Sequence, residues 1–512
     1  MKEILKACSN TCNKICANNW FLLIYLPIAF LYVLFFFYAN SPLYIADGID
    51  STIFKTMGQI ILNGGVPYVD YFDHKGPIVY FIQALGILLL SGKWGMYVIV
   101  SFTIAVSLII WNKISRLFCQ PAVSFIATLI PLYVMSAFVE DGNQVELWML
   151  IPISISVYFA VKYLLSEKSK HPYWYSLIYG LCFGIVFFIR PNDAVSSLGG
   201  IMFGVFLYLL FVNHDWKGAI YNALSFFGGA IIIAIPIIAY FAYHNALYDA
   251  YMGIFGFNLL YFNQAKPEGM GGRLMLGMIL LYALPTILAC LNNKKSLSWI
   301  FIPVGIFTAI LIGKRADLRY FIPLVPTAFV LISSLIFAQR NVYQKALGFL
   351  LLLYLPSQWG GKSFLYIDKP IDQCRLLSKR IANNQAVDRA FYAEGEKLLS
   401  EIPQSERDSI WCYNWCVEGN YTYSILFKNR IIQMNRFPPV IDRYSFLPDK
   451  YIPYTKLENY KPLWLLTAEY QNYEHVANPY NSQEDSIYIN TNYECIAKTN
   501  PEIVHLYLWK RK

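Results

Sequence analysis

The sixteen residues Gly76–Ser91, GPIVYFIQALGILLLS, decide how this chain is folded. They are apolar enough to enter a bilayer. A crossing helix, however, needs about 20 residues, and these open on Gly-Pro. If they cross, every later loop changes sides. If they lie along the membrane interface, the loops sort by charge. With a cytoplasmic N-terminus and no crossing here, thirteen basic residues fall in the inner segments, among them Lys2, Lys14, Lys113, Arg116, Lys162, Lys168, Lys217, Lys294 and Arg340. Nine fall in the longer outer segments. That is the bias the positive-inside rule requires, so Gly76–Ser91 is read as an interfacial helix.

The rest of the chain supports a membrane reading. Its 512 residues are 57% hydrophobic and 14% charged, against about 25% charged in a soluble domain. Trp20–Tyr38 is too long for a signal-peptide core and lacks a small-residue cleavage site, so it reads as a retained span. Eleven spans are expected, at 20–39, 94–112, 121–138, 145–161, 174–189, 195–212, 219–243, 274–291, 298–313, 320–338 and 345–359. The expected fold is a polytopic α-helical membrane protein of about 11 transmembrane helices plus interfacial helices, with a first outer loop at 40–93. Residues 1–359 form the membrane module. From about Gly360 the composition becomes that of a soluble domain, so 360–512 is expected to be an extracytoplasmic α/β domain. Helical character runs over 386–402, and short strands are expected at 409–413, 462–466 and 505–509.

The net charge of +9 is spread in small loop clusters, and no nucleic-acid motif is visible. The spans carry almost no charge, and no internal repeat is seen. Both observations weigh against an ion-coupled transporter, although a polysaccharide or lipid-linked-sugar transporter or flippase stays as the alternative. Cys8, Cys12 and Cys16 fall four apart, forming one stripe on a helix; an unmodified cytoplasmic helix and acylation are both open. Cys374, Cys412, Cys416 and Cys495 lie in the outer domain, where disulfides are permitted but their connectivity is not encoded.

Four polar patches then fall on one predicted outer side. The first loop holds Asp47 and Asp50, followed by Asp73-His74-Lys75-Gly76-Pro77. Asp50 reads either as the cap of the amphipathic stretch DSTIFKTMGQIILNG or as a carboxylate that takes a proton from a hydroxyl. Asp47 is open between assisting it, binding a metal and being solvated. Lys75 reads as a phosphate contact, an ion-pair partner or an interfacial cation; His74 is as readily structural as catalytic. The second patch is Glu140-Asp141-Gly142-Asn143-Gln144-Val145-Glu146, where Glu146 already stands inside an apolar run. The third is Arg190-Pro191-Asn192, and the fourth Lys314-Arg315-Ala316-Asp317-Leu318-Arg319-Tyr320. Arginines at outer span mouths run against the charge bias. Bidentate binding of a phosphate explains them, as does contact with bulk lipid headgroups.

These residues resemble the membrane glycosyltransferases of the GT-C fold, in the broad family 39 class that includes protein O-mannosyltransferases and lipid A aminoarabinose transferase. Asp50-Ser51-Thr52 matches the first-loop Asp of that group, and His74-Lys75-Gly76-Pro77 stands where its Lys-Pro-Pro-type motif falls. Here Gly76 replaces the first proline, and Ser51 stands where many relatives carry a second acid. Gly142–Glu146, Arg190-Pro191 and Arg319-Tyr320-Phe321 look like further stations, so the resemblance spans about 20–330. It implies inverting transfer of a sugar from a polyprenyl-phosphate-linked donor to a glycan, lipid or protein acceptor, at the outer face of the cytoplasmic (inner) membrane. Asp50 is the implied general base, and Lys75, Arg315 and Arg319 the donor-phosphate contacts. Asp47, Asp73, His74, Asn143, Glu146 and Arg190 are candidates for acceptor or sugar binding. No cofactor is certain, and a divalent metal is left open.

Overall fold

The structure is a computed structural model. It describes residues 2–45, 47–90, 92–136, 138–139, 142–166, 168–264, 271–312, 318–339, 341–346 and 348–350, and, in the C-terminal part, 386, 389–413, 426, 457–468, 470–471, 477–478, 483–503 and 505–512. The expected eleventh span at 345–359, the residues Glu140, Asp141, Lys314, Arg315 and Asp317, and Cys374 and Cys416 lie wholly or largely outside the described residues.

The membrane module is a bundle of helices, as its composition requires: a backbone in hydrocarbon must satisfy its own hydrogen bonds. The helices are α1 (Lys2–Ala17), α2 (Tyr25–Phe36), α3 (Ile49–Leu62), α4 (Pro77–Leu89), α5 (Trp94–Ser115), α6 (Pro121–Met135), α7 (Leu150–Leu165), α8 (Tyr173–Phe187), α9 (Pro191–Asp193), α10 (Gly200–Phe211), α11 (Trp216–Tyr243), α12 (Leu247–Tyr251), α13 (Phe257–Gln264), α14 (Gly271–Leu291), α15 (Ser298–Leu311) and α16 (Val330–Ala338). Among the described residues, five continuous helical stretches are long and apolar enough to cross a bilayer: Asn19–Phe36, Trp94–Ser115, Val145–Leu165, Pro191–Phe211 and Trp216–Tyr243. Shorter apolar helices occupy the other expected spans within the described residues. Proline sets several starts, at Pro77, Pro121 and Pro191, where its missing N–H costs nothing.

Contacts between loops define two ends of the bundle. At one end, Asn13 donates to Gln120 and Arg116 to the Cys16 carbonyl, Cys119 reaches the Ser334 carbonyl, Asn292 donates to the Leu335 carbonyl, and Ser296 to the Leu164 carbonyl. At the other end, Asn40 donates to the Gly142 carbonyl (2.7 Å), and the Gly76 N–H to the Ile189 carbonyl (3.0 Å). Lys93, just beyond α4, donates to the Tyr38 carbonyl at this same end (3.0 Å). Helix α4 therefore begins and finishes at one end of the bundle. It packs on α3 and α5 rather than running through to the far end.

Among the described residues, single π-helical turns occur at Ala194–Gly199, Met252–Gly256 and Val325–Phe329. Such turns gather at functional sites; the first follows α9 directly and the last lies just after Arg319.

The C-terminal part carries a four-stranded sheet in the order β1–β2–β6–β5, with β1 Ile410–Cys412, β2 Trp464–Ala468, β5 Tyr493–Lys498 and β6 Leu506–Arg511. Strands β1 and β2 are parallel, while β6 runs antiparallel to β2 and to β5. A two-stranded ribbon joins β3 (Tyr470–Gln471) to β4 (Ala477–Asn478). The three strands expected at 409–413, 462–466 and 505–509 are β1, β2 and β6. Strands β1 and β2 are legible because all of their residues are buried, which gives nearly continuous apolar runs.

Candidate active site

Helix α3 opens after the extended Gly48, with Asp50 in its first turn, where the helix dipole favours a negative charge. The Asp50 carboxylate meets Arg319: Nη1 lies 2.7 Å from Oδ2. The side chains are 32% and 28% exposed respectively, so this pair stays open to a ligand. The next residue, Ser51, is buried and accepts from Asn143 Nδ2 at 2.9 Å. Asn143 in turn exchanges two hydrogen bonds with Gln83 of α4, at 3.0 and 3.1 Å. Gly142, with φ of +97°, lets the chain turn tightly against Phe37 before it.

Three residues beyond Asn143, buried Glu146 accepts from Arg190 Nη1 at 2.5 Å. Arg190 also pairs with buried Asp193, and its guanidinium lies over the Tyr320 ring, 4.4 Å from the centroid. Tyr320 neighbours Arg319, which returns to Asp50. The four patches thus close a circuit: Asp50 and Ser51, Asn143 to Glu146, Arg190, Tyr320 and Arg319.

The Asp73–Pro77 segment joins this circuit through the backbone. Besides the Gly76 bond to Ile189, the Ile78 N–H reaches the Phe188 carbonyl at 3.3 Å, placing Lys75 beside the turn that leads from α8 into Arg190. A Cβ on Gly76 would lie 1.9 Å from the Phe188 oxygen. This accounts for glycine where the resemblance expects proline: there is no room for a side chain, and the N–H is in use. Lys75 Nζ lies 2.6 Å from His74 Nε2, and His74 Nδ1 lies 3.2 Å from Asp73 Oδ1. Burial would push the Asp73 carboxyl up, but Lys75 and His74 together outweigh it and hold it well below the usual carboxylate range.

Asp47 is placed differently. It pairs with Lys55 at 2.5 Å and Lys93 at 3.7 Å. Burial opposes its ionisation, yet the two lysines prevail and depress its pKa. Lys55 and Lys93 also cap the Ala39 and Tyr38 carbonyls, so Asp47 ties the end of α2 to α3 and to the end of α4. Arg315 lies outside the described residues. Among the described residues, no three His, Cys, Asp or Glu side chains converge as a metal-binding group. Glu146 and Asp193 both face Arg190, so this donor set does not fit a resident cation.

Several members of the site were not singled out by the sequence. Asp193 stands three residues after Arg190, a helical spacing that brings charges together. Gln83 is the lone amide in an otherwise apolar helix. Tyr320 is visible only through its neighbour Arg319. An apolar cavity of about 380 Å³ lies between α8 and α11, lined by Phe183, Phe187, Phe188, Phe241 and Tyr251 among others. It reaches Phe188, and so abuts the Gly76 side of the site rather than the Asp50 carboxylate.

The sequence matches no family model and no curated protein. The backbone does match solved structures. ArnT from Cupriavidus metallidurans bound to undecaprenyl phosphate gives a TM-score of 0.59 at 10% identity, over 95% of this chain and 97% of that one. The Archaeoglobus fulgidus oligosaccharyltransferase tethered with an acceptor peptide gives 0.44 at 12% identity, over 94% and 80%. The chain is therefore similar in fold to ArnT along nearly its whole length. The polytopic GT-C-like architecture with a C-terminal domain, expected from the sequence, is the one observed.

Proposed function

We propose that this protein is a membrane glycosyltransferase that moves a sugar from a polyprenyl-phosphate-linked donor to an acceptor hydroxyl, with inversion, at the outer face of the cytoplasmic membrane. In this reading the N-terminus is cytoplasmic and the C-terminal domain extracytoplasmic. The observation that carries it is the circuit of four distant segments closing on Asp50.

The chemistry follows from the arrangement. An acceptor oxygen attacks the anomeric carbon as the bond from that carbon to the phosphate oxygen breaks on the opposite face. The hydroxyl proton passes to Asp50, and the charge that develops on the departing phosphate is met by Arg319 and Lys75, with Arg315 as a further cation from the same loop. Fixed cations aimed at developing charge are the strongest electrostatic device such a site has. Arg319 occupies Asp50 Oδ2 when no donor is bound. A donor phosphate offers the guanidinium a bidentate partner and leaves the carboxylate free to accept a proton. Binding of donor thereby prepares the base.

Arg190 is saturated by two carboxylates and an aromatic ring, so we assign it, with Glu146 and Asp193, to the wall that orients the sugar rather than to the phosphate. Asn143 acts through Ser51, on the turn that bears Asp50. We assign Asp47 to holding the loop. The apolar cavity is the place we assign to the isoprenoid chain, since it is lined by Phe188, whose carbonyl accepts from Ile78 just after Gly76.

The test is binding of undecaprenyl phosphate to the purified full chain in lipid nanodiscs. The reading expects saturable binding that weakens about tenfold or more in Arg319→Ala, the loss of a charge-assisted bidentate contact. Wild-type protein that does not bind the lipid phosphate would overturn the donor assignment.

A further inference from the structure

His74 touches both an acid and a base of the first loop, and the geometry dictates how. An ammonium can only donate hydrogen bonds. The 2.6 Å contact between Lys75 Nζ and His74 Nε2 therefore requires a bare, accepting Nε2. The ring proton then sits on Nδ1 and faces Asp73 Oδ1 at 3.2 Å. Asp73 is itself fixed by the Tyr80 hydroxyl, which donates to Oδ2 at 2.9 Å. The ring lies against Phe257, with centroids 4.9 Å apart, and the His74 carbonyl accepts from Asn258 at 3.0 Å. The Lys75 backbone is held at both polar atoms: Tyr68 donates to its carbonyl at 2.6 Å, and its N–H donates to Tyr80 at 3.1 Å. The main chain is thus rigid on every side. The long, flexible side chain of Lys75 is steered by His74.

We propose that His74 is a positioning residue: an imidazole in a single neutral tautomer, set by Asp73, that holds the Lys75 ammonium ready for the donor phosphate. This rests on the reading that the donor is a lipid phosphate. It gives the Asp73–His74–Lys75 run one task, in which the carboxylate orients the ring and the ring orients the cation. A lysine otherwise loses considerable rotamer freedom when it engages an anion; pre-ordering it lowers that cost of binding.

The experiment is a double-mutant cycle on undecaprenyl phosphate binding, with the full chain in nanodiscs. Lys75→Ala should weaken binding about tenfold or more, and His74→Ala should weaken it about three- to tenfold. His74→Gln places an amide oxygen where Nε2 stood and should restore most of the loss, whereas His74→Asn keeps a donor toward Asp73 without that acceptor and should not. In the Lys75→Ala background, His74→Ala should add nothing, because partners in one interaction are not additive. An equal penalty from His74→Ala with or without Lys75, or wild-type affinity in His74→Ala, would overturn the positioning role. So would an unrepaired loss in a folded His74→Gln protein, which would assign the ring to packing on Phe257. Failure of wild-type protein to bind the lipid phosphate would instead count against the donor reading on which the proposal rests.

Discussion

Arg319 Nη1 and Asp50 Oδ2 stand 2.7 Å apart across 269 residues of sequence. The pair is the hinge of the proposed chemistry, because the same guanidinium holds the base at rest and the phosphate during reaction. Replacing Arg319 by Lys keeps the charge but loses the planar fork. We expect Arg319→Lys to keep part of the lipid phosphate affinity that Arg319→Ala loses, while transfer falls about tenfold or more. Equal binding by the Lys and Ala variants would show that bidentate geometry is not used.

Arg190 should be a keystone of stability. It neutralises Glu146 and Asp193, both buried. Breaking a buried pair from one side leaves uncompensated charge and typically costs about 3–5 kcal/mol. Arg190→Met should therefore lower the thermal unfolding midpoint markedly in detergent. Adding Glu146→Gln to Arg190→Met should recover part of the loss. A midpoint unchanged in Arg190→Met would show that the two carboxylates are solvated.

Gly76 should tolerate no side chain. An added Cβ would sit 1.9 Å from the Phe188 oxygen, and overpacking against backbone costs about 1–3 kcal/mol or more. Gly76→Ala should lower the unfolding midpoint, and Gly76→Pro should lower it further by also removing the N–H that reaches Ile189. A stable Gly76→Pro protein would show that the approach of these two loops is looser than described.

His171, in the loop between α7 and α8, is buried with Nδ1 2.7 Å from Asn222 Oδ1. Burial holds its imidazole down to about 4, against about 6.5 in an unfolded chain. The folded protein thus binds fewer protons than the unfolded chain between those values. Its contribution is fully present above pH 6.5 and is lost as the pH falls toward 4, by up to about 3 kcal/mol. His171→Gln should flatten the fall in unfolding midpoint between pH 6.5 and 4.5 relative to wild type. An identical pH dependence in both proteins would remove His171 as its source.

Much of this organisation is legible in the sequence because a bilayer imposes long apolar runs. The spans, the charge bias and the segment Gly76–Ser91 follow from length and charge alone. The four patches are legible because charged residues beside lipid need a reason. Their pairing is less so. Nothing in the local pattern says that Arg190 spends itself on Glu146 and Asp193, or that Asp47 belongs to Lys55 and Lys93; those partners are set by packing between helices. Strand β5 is not legible for a related reason. Tyr493–Lys498 buries only its first residue fully, so it carries no apolar run and no clean alternation. Asp193 and Gln83 left faint marks, an i,i+3 spacing and a single amide in an apolar helix, which gain meaning only once α4, α9 and the Asn143 loop are seen together.

The proposed role of Asp50 is tested most directly by Asp50→Asn in reconstituted membranes carrying the cell's own lipid-linked sugars, measured as release of undecaprenyl phosphate alongside its binding. The account predicts that release falls by about two orders of magnitude or more, the usual scale for losing a general base. Lipid phosphate binding should be retained or tightened, since Arg319 no longer has a competing carboxylate. Wild-type release from Asp50→Asn would contradict it.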